Sequence, residues 1–379
     1  MDKKNIIVLG SGLVGGPMAR DLATEFNVSL ADISKKALIK AIGDFPITGI
    51  ESDLSKEENV RELIKDFDLV INAVPGHMGF KTLETVIDSG KNIVDIAFFP
   101  EDLLLLDELA KEKGVIAISD IGVAPGMSNI LTAFAASQLE KTFKVKIMVG
   151  GLPKNRQLPW EYKAVFSPSD VIEEYTRPAR VVRGSKEIAV PPLGERELLN
   201  FEGIGTLEAF ISDGLRSLIH TIDAPDMEEK TLRYPGHARL MEILRDAGFF
   251  SQEMKTVGNS QIRPLDLTSE ILFPQWKMEE GEVDITVMRI IVSGVKDGKN
   301  AEICYDLYDE YDPETGIHSM ARTTGYTATI TARMVLNGMY DHAGVSPPEY
   351  LGKKPECVDF LFKEFEKRKI FYRSKTVQL

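Results

Sequence analysis

The stretch Ile6-Ile7-Val8-Leu9-Gly10-Ser11-Gly12-Leu13-Val14-Gly15 decides the first half of the fold. Four apolar residues run into a glycine turn, and the spacing then becomes helical through Met18, Leu22 and Phe26. Strand, tight turn and helix N-terminus follow in the order a pyrophosphate site needs. Gly10 tightens the turn, Gly12 lets the backbone approach the phosphates and Gly15 lets helix and strand pack, while free N–H groups and the helix dipole attract the anion. Gly16 and Pro17 suit the first helical turn. A second strand, Val28 to Ala31, delivers Asp32 22 residues after Gly10, the spacing of a carboxylate directed at the adenosine ribose. A dinucleotide site follows, with NAD preferred because Asp32 would repel a 2′-phosphate; Lys35 and Lys36 weigh the other way. A structural turn at a sheet edge is the alternative.

Further strand ends follow in order. Ile47 to Asp53 reads as a short third strand, with Asp53 as an adenine contact, the organiser of its loop, or a cap for the helix after it. Asp68 to Gly76 is a buried strand whose small Ala73 leaves room for a dinucleotide and whose Val74, Pro75 and Gly76 lead the chain out. Lys81 to Ser89 reads as a helix, Asn92 to Ile96 carries Asp95, and Val115 to Ser119 leads to Asp120. Lys81, Asp95 and Asp120 are therefore the candidates for proton exchange with an amine, a desolvated lysine or an aspartate with a water relay being suited to it. Surface pairing competes for Lys81, and capping or support competes for the acids. Gly122 sits in the next turn, Ile121 to Gly126, which feeds an apolar helix from Asn129 to Leu139 whose start is suited to a substrate carboxylate. A hinge is the other reading of that turn, and the first boundary is placed near Pro125.

Beyond it, extended patterns dominate: Lys144 to Gly151, Ala179 to Val182, Ile188 to Val190, Leu207 to Ile211, Asp284 to Ser293 and Glu302 to Asp309, with a helix at Ala238 to Ala247. The predicted class is α/β, a Rossmann dinucleotide-binding domain over 1–125 joined to an α+β substrate and dimerisation domain over 126–322. Helices within 323–379 are expected to return to the first domain. The strands around 284–309 offer an edge for a dimer. Arg177, Arg216, Arg233 and Arg322 lie near turns or element ends, and the guanidinium fork suits an amino-acid carboxylate; a surface ion pair is the alternative for each. Asn129, Tyr162, Tyr175, Tyr234 and His237 are read as possible lining of the same pocket, against ordinary packing.

Composition excludes several classes. The 379 residues are 43% hydrophobic with a formal charge of -13, which opposes nonspecific nucleic-acid or anionic-membrane binding. Two cysteines, Cys304 and Cys357, suggest no disulfide framework and a reducing, cytoplasmic compartment; no leader precedes the first strand and no apolar run has transmembrane length. No His, Cys and acid spacing suggests a metal, and no serine nucleophile elbow suggests a hydrolase.

Several stretches in order carry a resemblance: the glycine turn, Asp120 to Met127 with Asn129, Val149 to Pro153, Thr231-Leu232-Arg233-Tyr234-Pro235-Gly236-His237, and Met320 to Thr327. The chain resembles the saccharopine dehydrogenase-like oxidoreductases, most of all their short L-lysine 6-dehydrogenase branch, over almost its whole length. The resemblance implies a homodimer that oxidises the side-chain amine carbon of L-lysine with NAD+ and hydrolyses the imine to ammonia and 2-aminoadipate 6-semialdehyde. It implies roles for Lys81, Asp95, Arg216 and Arg233 in the cleft. A saccharopine-type secondary amine is the main substrate alternative. A non-catalytic dinucleotide-sensing protein is the alternative from another class.

Overall fold

The computed structural model describes residues 3–165, 168–279 and 281–379. It divides into two compact units, 1–138 with 320–371, and 139–319 with 372–379.

Unit 1 opens with β1 (Asn5–Leu9), whose Ile6 to Leu9 are all buried, as a parallel strand covered on both faces requires. There follow α1 (Gly15–Leu22), β2 (Asn27–Asp32), α2 (Lys35–Ile42), β3 (Ile47–Glu51), α3 (Glu57–Leu63), β4 (Leu69–Asn72) and α4 (Gly76–Asp88). Then come β5 (Asn92–Asp95), α5 (Asp107–Lys113), β6 (Ile116–Ile118) and α6 (Met127–Ser137). The strands pair in parallel in the order β3-β2-β1-β4-β5-β6, so the direction of growth reverses between β1 and β4. In such a doubly wound sheet, ligands lie outside the strand carboxyl ends at that switch point.

Unit 2 contains β7 (Lys141–Pro153), α7 (Pro168–Thr176), β8 (Ala179–Arg183), β9 (Lys186–Val190), β10 (Glu197–Phe201), β11 (Gly205–Ile211), α8 (Leu218–Thr221) and β12 (Asp226–Arg233). It continues with α9 (His237–Asp246), the hairpin β13 (Lys255–Val257) and β14 (Ser260–Ile262), α10 (Pro264–Trp276), β15 (Asp284–Lys296) and β16 (Lys299–Glu310). The chain then supplies α11 (Ser319–Leu336), β17 (Gly344–Ser346), α12 (Glu349–Gly352) and α13 (Pro355–Lys367), which from Met320 belong to unit 1, where β17 adds in parallel to β6. Finally β18 (Tyr372–Gln378) pairs with β16, giving the mixed order β10-β11-β12-β7-β15-β16-β18 in unit 2. Only β12 and β7 run parallel along this path.

The first compact unit takes in α6, which is buried from Met127 to Ala133. Two sequence expectations change. The block 323–379 is split, since 372–379 belongs to unit 2. The strands at 284–309 do not offer an edge: β15 lies between β7 and β16, and β16 between β15 and β18.

Charge fastens the returning helices within unit 1. Asp21 on α1 meets Arg333 of α11 at 2.7 Å and Arg368 at 2.8 Å, and accepts a hydrogen bond from the Thr329 hydroxyl. Burial opposes the Asp21 charge, but the two guanidinium groups overcome it and hold the carboxyl below its ordinary range. Among the described residues no helix is long and apolar enough to cross a membrane, and no group of three His, Cys, Asp or Glu could hold a metal.

Candidate functional site

In unit 1 the glycine turn leaves β1 with Gly10 at φ +101°, where an added Cβ would stand 2.6 Å from the Ala73 carbonyl oxygen. Neither the conformation nor the space accepts a side chain. At Gly12, by contrast, a Cβ would meet nothing within 4 Å, so the backbone is open to a phosphate there. Asp32 closes the turn from β2: one carboxylate oxygen accepts the Ser11 N–H and the other the Ser34 N–H, both at 2.8 Å. Leu13 is exposed, whereas Val74, behind Ala73, is buried. Asp53 accepts hydrogen bonds from Ser55 N–H at 3.1 Å and its hydroxyl at 2.6 Å, so its carboxylate orders its own loop.

The carboxyl ends of β4 and β5 and the exit from β6 meet at Asp95, which is 0% exposed. Its carboxylate accepts from Asn72 Nδ2 at 2.9 Å, the Ala97 N–H at 2.8 Å and the Ser119 hydroxyl at 2.9 Å. Burial pushes the Asp95 carboxyl up to about 7; the three hydrogen bonds oppose this and neighbouring Asp120 adds to it. Asp120 itself is buried in the left-handed region at φ 58°. Asn72 and Ser119 carry no motif in the sequence; their place at successive strand ends is the signal that would have found them.

Two unit 1 expectations are corrected. Lys81 is not a desolvated base: its side chain is 58% exposed on α4 and pairs with Glu57 at 3.2 Å and Glu84 at 2.8 Å, which raise rather than lower its pKa. The α6 start does not present free N–H groups to a carboxylate. Gly126, at φ +132° and with no room for a Cβ against Gly122, lets the turn fold back, so Met127 and Ser128 N–H donate to the Gly122 and Val123 carbonyls. Asn129 is buried and caps this turn, accepting from Gly126 N–H at 3.3 Å and reaching Glu349, instead of facing a substrate. Arg322 lies in unit 1, where its guanidinium donates to the Arg368 carbonyl at 2.7 Å.

In unit 2, two-residue alternation puts Glu229, Thr231 and Arg233 on one face of β12. Arg233 is 2% exposed and ion-paired to Glu174 of α7 at 2.6 Å, with its guanidinium 4.7 Å from the Tyr162 ring centre. Its Nε donates to the Tyr175 hydroxyl at 3.4 Å, which stands 3.0 Å from His237 Nε2; His237 Nδ1 lies 2.8 Å from the Trp160 carbonyl. A carbonyl only accepts, so Nδ1 carries the proton and Nε2 accepts from Tyr175. Burial drives His237 down to about 3 and Arg233 acts in the same direction, so the ring is neutral. Burial pushes Tyr175 up to about 12. This chain of bonds binds α7, β12 and α9 together. Arg233 is thus held as the buried ion-pair partner of Glu174, with Tyr162 and His237 packed beside it. Arg177 pairs with Glu173 one turn away at 3.1 Å.

Arg216 stands at φ 52° in the corner Gly214-Leu215-Arg216-Ser217 and is 5% exposed. Next to it the Ser217 hydroxyl is buried and, among the described residues, has no hydrogen-bond partner. The corner rests on Glu229, whose carboxylate accepts from the Ser212 hydroxyl at 2.7 Å and from Gly214 N–H. Sequence reading misses Glu229, Glu174 and Ser212, although the alternation of Glu229, Thr231 and Arg233 marks a strand with a polar buried face.

Comparison with known proteins adds to this geometry. The profile described as Saccharopine dehydrogenase C-terminal domain matches residues 122–370, and that described as Saccharopine dehydrogenase NADP binding domain matches residues 6–118. The chain belongs to the saccharopine dehydrogenase family. It thereby comprises a Rossmann-like dinucleotide-binding domain and a second α+β domain. It is 23% identical to the saccharopine dehydrogenase (NADP(+), L-glutamate-forming) of Saccharomyces cerevisiae, with 99% of each chain covered. It is 22% identical to the carboxyaminopropylagmatine dehydrogenase of Synechocystis sp., covering 92% of this chain and 93% of that one. It matches the alpha-aminoadipic semialdehyde synthase of Rattus norvegicus at 24% identity over 69% of this chain, yet spans only 30% of that protein and 45% of the Mus musculus one. The apo saccharopine dehydrogenase (L-Glu forming) structure from Saccharomyces cerevisiae shares the fold, with a TM-score of 0.81 at 20% identity, covering 99% and 100% of the two chains.

Proposed function

We propose that this family member is an NAD-dependent dehydrogenase or reductase of a saccharopine-type secondary amine, with L-lysine, first in the sequence resemblance, as the comparison substrate. The Arg216–Ser217 corner carries the reading. A left-handed backbone costs a residue other than glycine about 1–3 kcal/mol and persists where its surroundings over-determine it. Here it presents an arginine beside a buried hydroxyl that has no protein partner among the described residues. That pair suits a carboxylate, and a saccharopine-type amine has an amino-acid carboxylate on each side of its C–N bond where lysine has one at its far end. The names of the yeast and Synechocystis relatives support a substrate of this kind.

Gly10 to Gly15, Ala73, Val74, Pro75 and Gly122 are the proposed cofactor contacts. Asp32, anchored by two N–H groups, would accept from both ribose hydroxyls and disfavour a 2′-phosphate. The nicotinamide supplies the hydride acceptor or donor when bound. In the oxidative direction the substrate carbon gives up hydride, its bond to nitrogen becomes double, water adds, and cleavage releases an amine and a carbonyl compound. Asp120, beside Asp95, is the proposed group for the accompanying proton; Asp95 positions the strand ends. The proposed assembly is a homodimer, to be checked by solution mass near twice 42.1 kDa across a dilution series.

The test is turnover of L-saccharopine and L-lysine with NAD+ and NADP+ in turn. Arg216→Ala should weaken L-saccharopine capture about 10- to 150-fold, the range of a hydrogen bond to a charged group, and leave cofactor affinity unchanged. A higher kcat/KM for lysine would overturn the substrate reading. A tenfold preference for NADP+, about 1.4 kcal/mol, would overturn the cofactor reading.

A further inference from the structure

We propose that Glu229 is a positioning residue that holds the 212–217 corner in the shape that lets Arg216 take a substrate carboxylate. The inference rests on the reading of Arg216 given above and extends it to the group behind the corner. Glu229 lies on β12 and is 4% exposed. Its side chain touches the corner at two points: the Ser212 hydroxyl donates to Oε2 at 2.7 Å, and Gly214 N–H donates to the carboxyl. Its main-chain carbonyl takes the Ser212 N–H at 3.2 Å, and Thr231, two residues along the same face, shares a 2.7 Å hydrogen bond with the Ser212 hydroxyl. The fit is tight. A Cβ at Gly214 would stand 2.5 Å from the Glu229 carboxyl carbon, so Gly214 is the residue that lets the corner close on the acid. Arg216 follows two residues later, at φ 52°.

The charges around this acid make the support sensitive to pH. Glu174 faces it from α7 and Asp213 from the corner itself; Asp213 is paired with Arg180 of β8 at 3.0 Å, and Arg233 on the shared β12 face is paired with Glu174. Glu228 and Lys230 alternate to the opposite face, where they join Arg183, Lys146 and Glu197. Burial pushes the Glu229 carboxyl up to about 8, with Glu174 and Asp213 adding to the shift against the Ser212 and Gly214 hydrogen bonds. At neutral pH the group is therefore a neutral acid. Above pH 8 the buried Glu229 becomes a third negative charge beside Glu174 and Asp213, and the corner loosens.

The experiment measures Kd, KM and kcat for L-saccharopine from pH 6.5 to 9.5 in the full-length protein and in Arg216→Ala, Glu229→Gln, Glu229→Ala and Gly214→Ala, with melting temperature recorded for each. The expected wild-type result is a Kd and KM that weaken at least tenfold above pH 8, with kcat at saturation changed less than twofold. Glu229→Gln, which copies the neutral acid, should keep tight binding and lose this pH limb. Glu229→Ala and Gly214→Ala should bind at least tenfold more weakly at every pH. If Glu229→Gln keeps the wild-type pH limb, or if folded Glu229→Ala and Gly214→Ala bind like wild type while Arg216→Ala does not, the role of Glu229 is refuted and that of Arg216 stands. If Arg216→Ala binds like wild type, or the wild-type protein does not bind L-saccharopine, both fall. Glu229→Gln keeps the test decisive should the alanine variants fail to fold.

Discussion

At Asp95 three donors and a neighbouring acid meet in a fully buried site, and proton linkage makes that visible in stability. The folded carboxyl sits near 7 and an unfolded aspartate near 3.8, so the folded state binds the extra proton between those values. The contribution of this group is therefore fully present below about pH 4 and is lost as pH rises toward 7. Asp95→Asn should flatten the pH dependence of the urea midpoint across that window relative to wild type, because the amide does not titrate. Parallel wild-type and variant curves would show that the group is not perturbed. Residue identity in the glycine turn was legible because a positive φ and a backbone contact leave few choices. The four arginines were not separable in the sequence: nearness to a turn is shared by Arg233, sealed against Glu174, and by Arg216, held on a left-handed corner. The ion pair that seals Arg233 and the left-handed backbone that carries Arg216 both depend on residues distant in the chain, and no local pattern encodes that.

The turn ahead of α6 shows how an element can present the wrong chemistry to a pattern. Glycine, proline and an apolar helix suggested an anion site, yet the fold-back onto Gly122 and Val123 occupies the leading N–H groups. Gly126→Ala would need a Cβ 2.0 Å from the Gly122 oxygen and an alanine at φ +132°. It should destabilise unit 1 by about 3 kcal/mol or more, read from denaturant melts; a change below about 0.5 kcal/mol would show that the turn opens readily. Strands with clear alternation or long apolar runs, such as β1, β7, β15 and β16, were legible. By contrast, β12 was hidden, because Glu228, Glu229, Lys230 and Arg233 are polar residues buried by pairing.

At the scale of the molecule, the chain passes from unit to unit three times, at 138/139, 319/320 and 371/372. The return of the C-terminal helices has a physical anchor in the Asp21, Arg333 and Arg368 cluster, which no sequence spacing reveals since Asp21 stands 312 and 347 residues before the two arginines. The last strand has the opposite lesson: β18 is mostly exposed and polar, so it looks like a tail, yet its backbone pairs with β16 from Ala301 to Leu307. Deleting residues 372–379 should leave β16 as a bare edge, lower the melting temperature and produce association visible by light scattering. An unchanged mass and melting temperature would mean that the strand contributes nothing to unit 2.

That interleaving has a consequence for synthesis on the ribosome. Unit 1 is not complete until residue 371 has been made, and unit 2 lacks its outer strand until residue 378 has. Domains that are continuous in sequence fold in turn as they emerge, but here the nascent chain carries two incomplete sheets at once, each with an uncovered edge. A message cut short anywhere before codon 371 yields neither half in finished form.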